Sequence, residues 1–191
     1  MSLKNRFSYG SAGILLLLLI SLCLVSGNDF TISPTNAKVG TVVTISGSTT
    51  PNTAVGVQVN YQKIIPTTNG GSYLFLLQNI VIPSGSNAFT VKGTGVQSMS
   101  VGLKQSIWTT VTAKVVNGVA TVSQSNIPAG TYSAVVYGKA VKTSVTIDVT
   151  ASKTLISDAK GNYAYSYNSA GMPAGVYTVK IGSVTKSFTL K

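Results

Sequence analysis

The sequence repeats one unit three times, and each copy has the pattern of a strand, a proline–glycine corner and a hairpin. The copies span residues 69–103, 116–149 and 159–190. Proline fixes φ and has no N–H to donate, so it ends a strand, and glycine accepts the backbone angles of the corner that follows. Three uneven copies are too few for a solenoid, so the repeat favours β-sandwiches. The shared positions are Gly71, Tyr73, Pro83, Gly85, Phe89 and Gly93 in the first copy, Gly118, Pro128, Gly130, Tyr132 and Gly138 in the second, and Gly161, Tyr163, Pro173, Gly175, Tyr177, Gly182 and Phe188 in the third.

Alternation of side-chain type with a period of two supports an all-β fold. Valine and threonine dominate the chain, and β-branched side chains pack well on pleated sheets and poorly in helices. Apolar or aromatic residues alternate with other residues in three runs that start at Val55, Val145 and Tyr163. Short runs of this kind, separated by turn residues, are typical of a sandwich or a barrel.

The first 27 residues have the pattern of a secretory signal peptide. A lysine and an arginine precede an apolar run over residues 12–25, and residues 25–27 suit a cleavage site. We therefore expect a signal helix that is removed after Gly27, and a secreted or cell-surface protein. The apolar run is shorter than the roughly 20 residues of a membrane span. Retention of the leader as an anchor, lipidation at Cys23 and a pilin-like cut after Gly10 stay open as alternatives.

The mature chain is expected to form two tandem antiparallel β-sandwich domains, residues 28–104 and 105–191. The first domain begins with two strand-like runs and contains the first copy of the repeat, and the second domain contains the other two copies. Residues 105–109, at the joint, have no linker rich in proline and glycine. This composition predicts domains that abut and do not swing freely.

Residues near both ends of the mature chain resemble a known class of module. The opening has Pro34, Gly40, Val42, Ile45 and Gly47, and the ending is DAKGNYAYSYNSAGMPAGVYTVKIG. Both resemble the immunoglobulin-like β-sandwich modules of secreted archaeal surface and S-layer-type proteins. The resemblance covers most of the mature chain. It implies immunoglobulin-like domains at the cell surface and transfers no catalytic residues.

The titratable side chains exclude most catalytic chemistry. The chain has no histidine, no glutamate and one cysteine, so the ligand sets of zinc, haem and iron–sulfur centres are missing. Histidine-based triads and the paired carboxylates of glycosidases are missing too. We expect no enzyme activity, no metal and no cofactor. Asp158 is expected to cap the turn that follows it.

The charge of the mature chain favours anionic partners outside the cell. Residues 28–191 hold twelve lysines and three aspartates, which gives a net charge of +9. Such attraction weakens as salt rises. The lysines are spread along residues 28–191, which contain no arginine, whereas nucleic-acid proteins concentrate basic residues and use arginine to contact phosphates. We expect no nucleic-acid partner, and membrane contact only through an uncleaved leader.

Six residues are candidate ligand or assembly contacts. Tyr163, Tyr165 and Tyr167 share one face of a strand. They are either a sugar-binding platform or core residues, and the small polar residues on the opposite face favour the core. Trp108, at the domain joint, is a candidate first for interface or core packing and then for ligand contact. Phe30 and Ile32 belong to the segment NDFTISP, which we consider a candidate donor strand for pairing between chains.

Together these features predict a non-catalytic, exported cell-surface protein with a structural or adhesive role. Such a chain could assemble with itself into a sheath, filament or layer, or join another envelope protein. The alternative is an extracellular binding module for glycans or other anionic surfaces, with an anionic polysaccharide as partner. A third hypothesis, a hydrolase, depends on Asp148 or Asp158 as a lone catalytic group.

Overall fold

The computed structural model describes residues 29–191, and the predicted signal peptide lies outside these residues. The described chain forms fourteen strands and one short 3₁₀ helix, Ser169–Gly171. Within it, no helix has the length and hydropathy to cross a membrane. The strands are β1 (Phe30–Ser33), β2 (Asn36–Ala37), β3 (Val42–Ser48), β4 (Ala54–Pro66), β5 (Ser72–Ile82), β6 (Asn87–Thr94), β7 (Val96–Lys104), β8 (Trp108–Ala113), β9 (Val119–Ser125), β10 (Gly130–Ala140), β11 (Ser144–Ile156), β12 (Asn162–Asn168), β13 (Gly175–Ile181) and β14 (Val184–Leu190).

The strands form three sheets of different size. The seven-stranded sheet has the order β2-β14-β13-β4-β11-β6-β9, the four-stranded sheet β5-β10-β7-β8 and the three-stranded sheet β1-β3-β12. All pairings are antiparallel except the short one between β2 and β14. The all-β prediction is confirmed, with a sandwich-like packing of sheets.

The seven-stranded sheet buries one face along its length. Its longest strands, β4 and β11, pair over thirteen residues each, and Val57, Tyr61, Val145 and Ile147 alternate with more exposed residues along them. The two smaller sheets supply the opposing side chains, because the buried residues of all three sheets form one continuous core. Tyr61, for example, stacks on Phe75 of the four-stranded sheet with ring centroids 6.4 Å apart.

Strands from the two segments 28–104 and 105–191 are mixed in every sheet. In the three-stranded sheet β3 pairs with β12, in the four-stranded sheet β10 pairs with β5 and β7, and in the seven-stranded sheet β11 pairs with β4 and β6. The segment boundary falls in a hairpin, where Lys104 of β7 pairs with Trp108 of β8. The boundary at residues 104–105 therefore does not divide the strands into two separately paired sets.

A bulge in β5 changes which of its residues face the core. Asn79 has a positive φ of 57°, and the register with β10 shifts at this point, between Tyr132 and Ala134. Before the bulge Phe75 and Leu77 are buried, and after it Ile82 is buried. Asparagine adopts this conformation more readily than the branched residues around it. Beyond the bulge, Ile80 and Ile82 therefore face inward.

Candidate functional site

An apolar cavity of about 170 Å³ opens between the two smaller sheets, above the middle of the seven-stranded sheet. Side chains of all three sheets line it. From the three-stranded sheet come Tyr165 and Tyr167, from the seven-stranded sheet Val59 and Ala151, and from the four-stranded sheet Ile80. We call this space the apolar cavity. It is the concave site in which two of the six predicted contact residues meet.

Tyr165 and Tyr167 form one wall of the apolar cavity. Their ring centroids are 6.4 Å apart, and the backbone N–H of Val81 donates a hydrogen bond of 3.2 Å to the hydroxyl of Tyr167. This bond links β12 to β5. Burial raises the pKa of Tyr165 to about 12 and also raises that of Tyr167. Both side chains therefore stay protonated and uncharged near neutral pH.

Lys153 lies at the edge of the apolar cavity and is the one charged side chain among the described residues that line it. Its ammonium group lies 5.7 Å from the ring centroid of Tyr165 and donates a hydrogen bond of 2.6 Å to the carbonyl oxygen of Ser84. A cation over an aromatic face is attracted by the ring quadrupole. The cavity thus combines apolar walls with one positive charge at its edge.

Tyr163 does not join the other two tyrosines at the cavity. Its side chain is buried over Gly47, which pairs with it across β3 and β12. A Cβ at Gly47 would collide with the hydroxyl of Tyr163, so the glycine makes room for the ring. This hydroxyl is buried without a hydrogen-bond partner among the described residues, and burial raises its pKa. The stripe thus splits into one core residue and two residues that line the cavity.

Phe30 and Ile32 are core residues of their own chain. β1 pairs with β3 over its four residues, and the side chain of Phe30 is only 1% exposed. Lys186 holds this end of the strand, because its ammonium group donates to the carboxylate of Asp29 and to the carbonyl oxygen of Phe30. The exposed Asp29 carboxyl has a lowered pKa, mainly through its hydrogen bond with Lys186. The candidate donor segment therefore already has a partner strand within the chain.

Trp108 lies on the outer face of the four-stranded sheet, in the edge strand β8, with 44% of its surface exposed. Its ring extends over Gly102, and Lys104 lies 5.9 Å from the ring centroid. The same face carries other apolar side chains at outward positions of β5 and β10. We call these residues together the apolar outer face: Leu74, Leu76, Trp108, Val135 and Tyr137.

The acidic side chains have local structural contacts. The carboxylate of Asp158 accepts hydrogen bonds of 2.8 Å from the backbone N–H groups of Lys160 and Asn162, so it caps a turn. The pKa of Asp158 is lowered, mainly by the bond from Asn162. Asp148 accepts a 2.7 Å hydrogen bond from the amide of Gln62. Within residues 29–191, no three His, Cys, Asp or Glu side chains are grouped so as to hold a metal ion.

Comparison with known proteins found no matching family model, no matching curated protein and no matching solved structure.

Sequence reasoning missed the apolar outer face, although β5 carried a signal for it. In this strand Leu74 and Leu76 alternate with the buried Tyr73, Phe75 and Leu77, so both faces are apolar. A run that is apolar on both faces is typical of a strand covered on both sides. In the described residues only one side of this strand is covered, and Leu74 is 63% exposed.

Proposed function

We propose that this chain is a non-catalytic, exported cell-surface protein with a structural or adhesive role, and that it associates with further copies of itself. The proposal extends to immunoglobulin-like sandwiches of the surface-layer type, which the resemblance at both ends of the mature chain suggests. The apolar outer face is the observation that supports self-association. Even on a monomeric protein, the largest contiguous apolar patch is often a functional contact site.

The contact geometry of the apolar outer face supports a small contact that is repeated many times. Leu76 and Val135 are cross-strand neighbours, and so are Leu74 and Tyr137. With strands about 4.8 Å apart and about nine residues long on average, a four-stranded face covers roughly 600 Å². This area is below the roughly 800 Å² per partner of a stable dimer. Such a contact is weak alone, and an array of many copies would strengthen it.

The net charge predicts how self-association should depend on salt concentration. Twelve lysines and three aspartates in residues 28–191 make copies repel one another. Salt screens this repulsion, and kosmotropic salts such as sulfate also strengthen burial of apolar surface. Self-association through the apolar outer face should therefore increase with ionic strength.

The test is the molar mass of the purified protein by size-exclusion chromatography with light scattering, over a range of protein and salt concentrations. The double variant Leu74→Thr, Tyr137→Thr keeps good strand formers and removes apolar area. We expect it to dissociate at concentrations about 10 to 100 times higher than the wild type does. The matched control, Ile64→Thr with Val176→Thr, removes exposed apolar side chains from the seven-stranded sheet. A wild type that is monomeric throughout, or equal loss in both double variants, would refute association through this face.

A binding module for glycans or other anionic surfaces is the second candidate, favoured by one observation. The exposed ring of Trp108 lies on an open sheet face, with the ammonium group of Lys104 5.9 Å from its centroid. An aromatic face can stack on a sugar, and the lysine can attract an acidic one. Retention on a sulfated polysaccharide column should then decrease with salt and with Trp108→Ala. The opposite salt dependence of the two candidates separates them.

A further inference from the structure

We propose that the apolar cavity binds a small amphiphilic anion, with an aryl or short alkyl group inside the cavity and a carboxylate directed at Lys153. The proposal is independent of self-association, because the cavity lies between the sheets and the apolar outer face lies on the other side of the four-stranded sheet. No residue of that face lines the cavity.

The size and lining of the apolar cavity fit one aromatic ring. Its volume is about 170 Å³, and apolar cavities of about 150 Å³ stay dry and accept benzene. Val59, Ile80 and Met172 lie around it together with the rings of Tyr165 and Tyr167. Water gains few hydrogen bonds against such walls, so an apolar group is the better occupant.

The polar groups at the edge favour an anion over a neutral or cationic ligand. Among the described residues that line the cavity there is Lys153 and no carboxylate. The hydroxyl of Tyr167 accepts a bond from Val81 and keeps its own proton for donation. A carboxylate at this edge would gain charge attraction and find hydrogen-bond donors.

Two close contacts, made to β5 by β12 and by the 3₁₀ helix that follows it, hold the walls of the cavity in place, so the site is preformed. Gly171 of the 3₁₀ helix lies so close to the carbonyl oxygen of Asn79 that a Cβ there would overlap it. The bond between Val81 and Tyr167 is the second contact between the sheets. These contacts fix the spacing of β5 and β12 on either side of the cavity. A ligand would therefore need little rearrangement of the walls.

The probe is 3-phenylpropionate, and its neutral analogue 3-phenylpropanamide has the same shape without the charge. Binding is followed by ¹H–¹⁵N NMR titration of the purified protein. We expect a Kd on the order of millimolar for the carboxylate, in keeping with the ligand's size. The shifts should centre on β5, β11 and β12. The amide should bind about 2 to 5 times more weakly, since an exposed ion pair contributes little.

Three variants test the residues. Ala151→Leu extends a cavity-facing side chain into the space and should abolish binding of both probes. Lys153→Gln should reduce carboxylate binding to the level of the amide and leave amide binding unchanged. Lys142→Gln, at an exposed position outside the cavity lining, is the matched control and should change neither. The proposal is overturned if the wild type shows no shifts with either probe at millimolar concentration, if the amide binds as well as the carboxylate, or if Lys142→Gln and Lys153→Gln lose carboxylate binding equally.

Discussion

The hydroxyl of Tyr177 donates a hydrogen bond of 2.7 Å to the carbonyl oxygen of Pro173, four residues before it in the chain. Tyr132 makes the same bond to Pro128 at 2.9 Å in the middle copy of the repeat. In the first copy Asn87 takes this position, and its amide donates to the carbonyl oxygen of Pro83 at 3.2 Å. The corner of each repeat is therefore held by a side chain four residues after the proline, with either a phenol or an amide as donor.

Removal of the phenolic hydroxyl should destabilise the corners of the second and third copies of the repeat. Tyr177→Phe and Tyr132→Phe each keep the ring and lose one partly buried hydrogen bond. We expect each to lower the free energy of unfolding by about 0.5 to 1.5 kcal/mol. Urea unfolding followed by circular dichroism measures the loss. The matched control is Tyr137→Phe, at an exposed position, which should change stability by less than about 0.5 kcal/mol.

The repeat shows which parts of the fold could be predicted from the sequence. Its corners and the alternation around them predict strands and turns, because both depend on neighbours a few residues away. The pairing of β4 with β11 joins residues about ninety positions apart, such as Tyr61 and Val149. Judged by periodicity alone, any other strand with an apolar face could pair with β4 or with β11. Side-chain periodicity fixes which face of a strand is buried and does not specify the partner strand.

The contact between the two smaller sheets should be sensitive to one methyl group. Gly171 lies against the backbone of Asn79, where a Cβ would overlap the carbonyl oxygen. Because backbone atoms cannot move aside cheaply, Gly171→Ala should lower the free energy of unfolding by about 1 to 3 kcal/mol. Gly56→Ala is the matched control, since a Cβ there meets nothing within 4 Å. Equal stability of the two variants would contradict the close approach of the 3₁₀ helix to β5.

Alkaline pH should weaken the fold through the half-buried phenol of Tyr165. Burial raises the pKa of this tyrosine to about 12, whereas in the unfolded chain it is near 10. Between these values the unfolded chain has lost the proton that the folded chain keeps, so stability falls as pH rises above about 10. Urea unfolding at several pH values between 9 and 12 measures this slope.

The variant Tyr165→Phe removes one of the groups responsible for the alkaline loss of stability. Its free energy of unfolding should therefore fall less steeply with pH than that of the wild type. Some dependence should remain, because burial also raises the pKa of Tyr73 to about 12. The slope is the quantity to compare, since the variant also changes stability at every pH. A slope unchanged in Tyr165→Phe would mean that this phenol is not buried in solution.

The candidate site could be predicted only in part, for a physical reason. The tyrosine stripe is visible because its spacing is local, and two of its three members line the apolar cavity. Many of the other lining residues come from β4, β5 and β11, whose meeting depends on the sheet pairing and on the bulge at Asn79. Nothing in the sequence marked Lys153 as a residue of the candidate site, because it is one of many dispersed lysines.

The burial of Phe30 changes how the donor-strand hypothesis must be tested. Deletion of residues 28–34 would abolish self-association whether or not β1 acts as a donor strand, because the deletion also removes core residues. A Phe→Ala change in a core alone costs about 3 to 5 kcal/mol of stability. A covalent tether keeps the core and prevents exchange of the strand. Thr31 and Ser46 are paired across β1 and β3, and their hydroxyl oxygens are 3.0 Å apart. The double variant Thr31→Cys, Ser46→Cys therefore places two thiols within reach of a disulfide.

Association through the apolar outer face does not need β1 to leave its own chain. We therefore expect the oxidised tether to associate as the wild type does, at the same protein and salt concentrations, with a free energy of unfolding that is raised or unchanged. Light scattering before and after reduction of the same sample gives each preparation its own control. A tether that is monomeric when oxidised and associates again after reduction would show that β1 exchanges between chains, because only release of that strand separates the two samples.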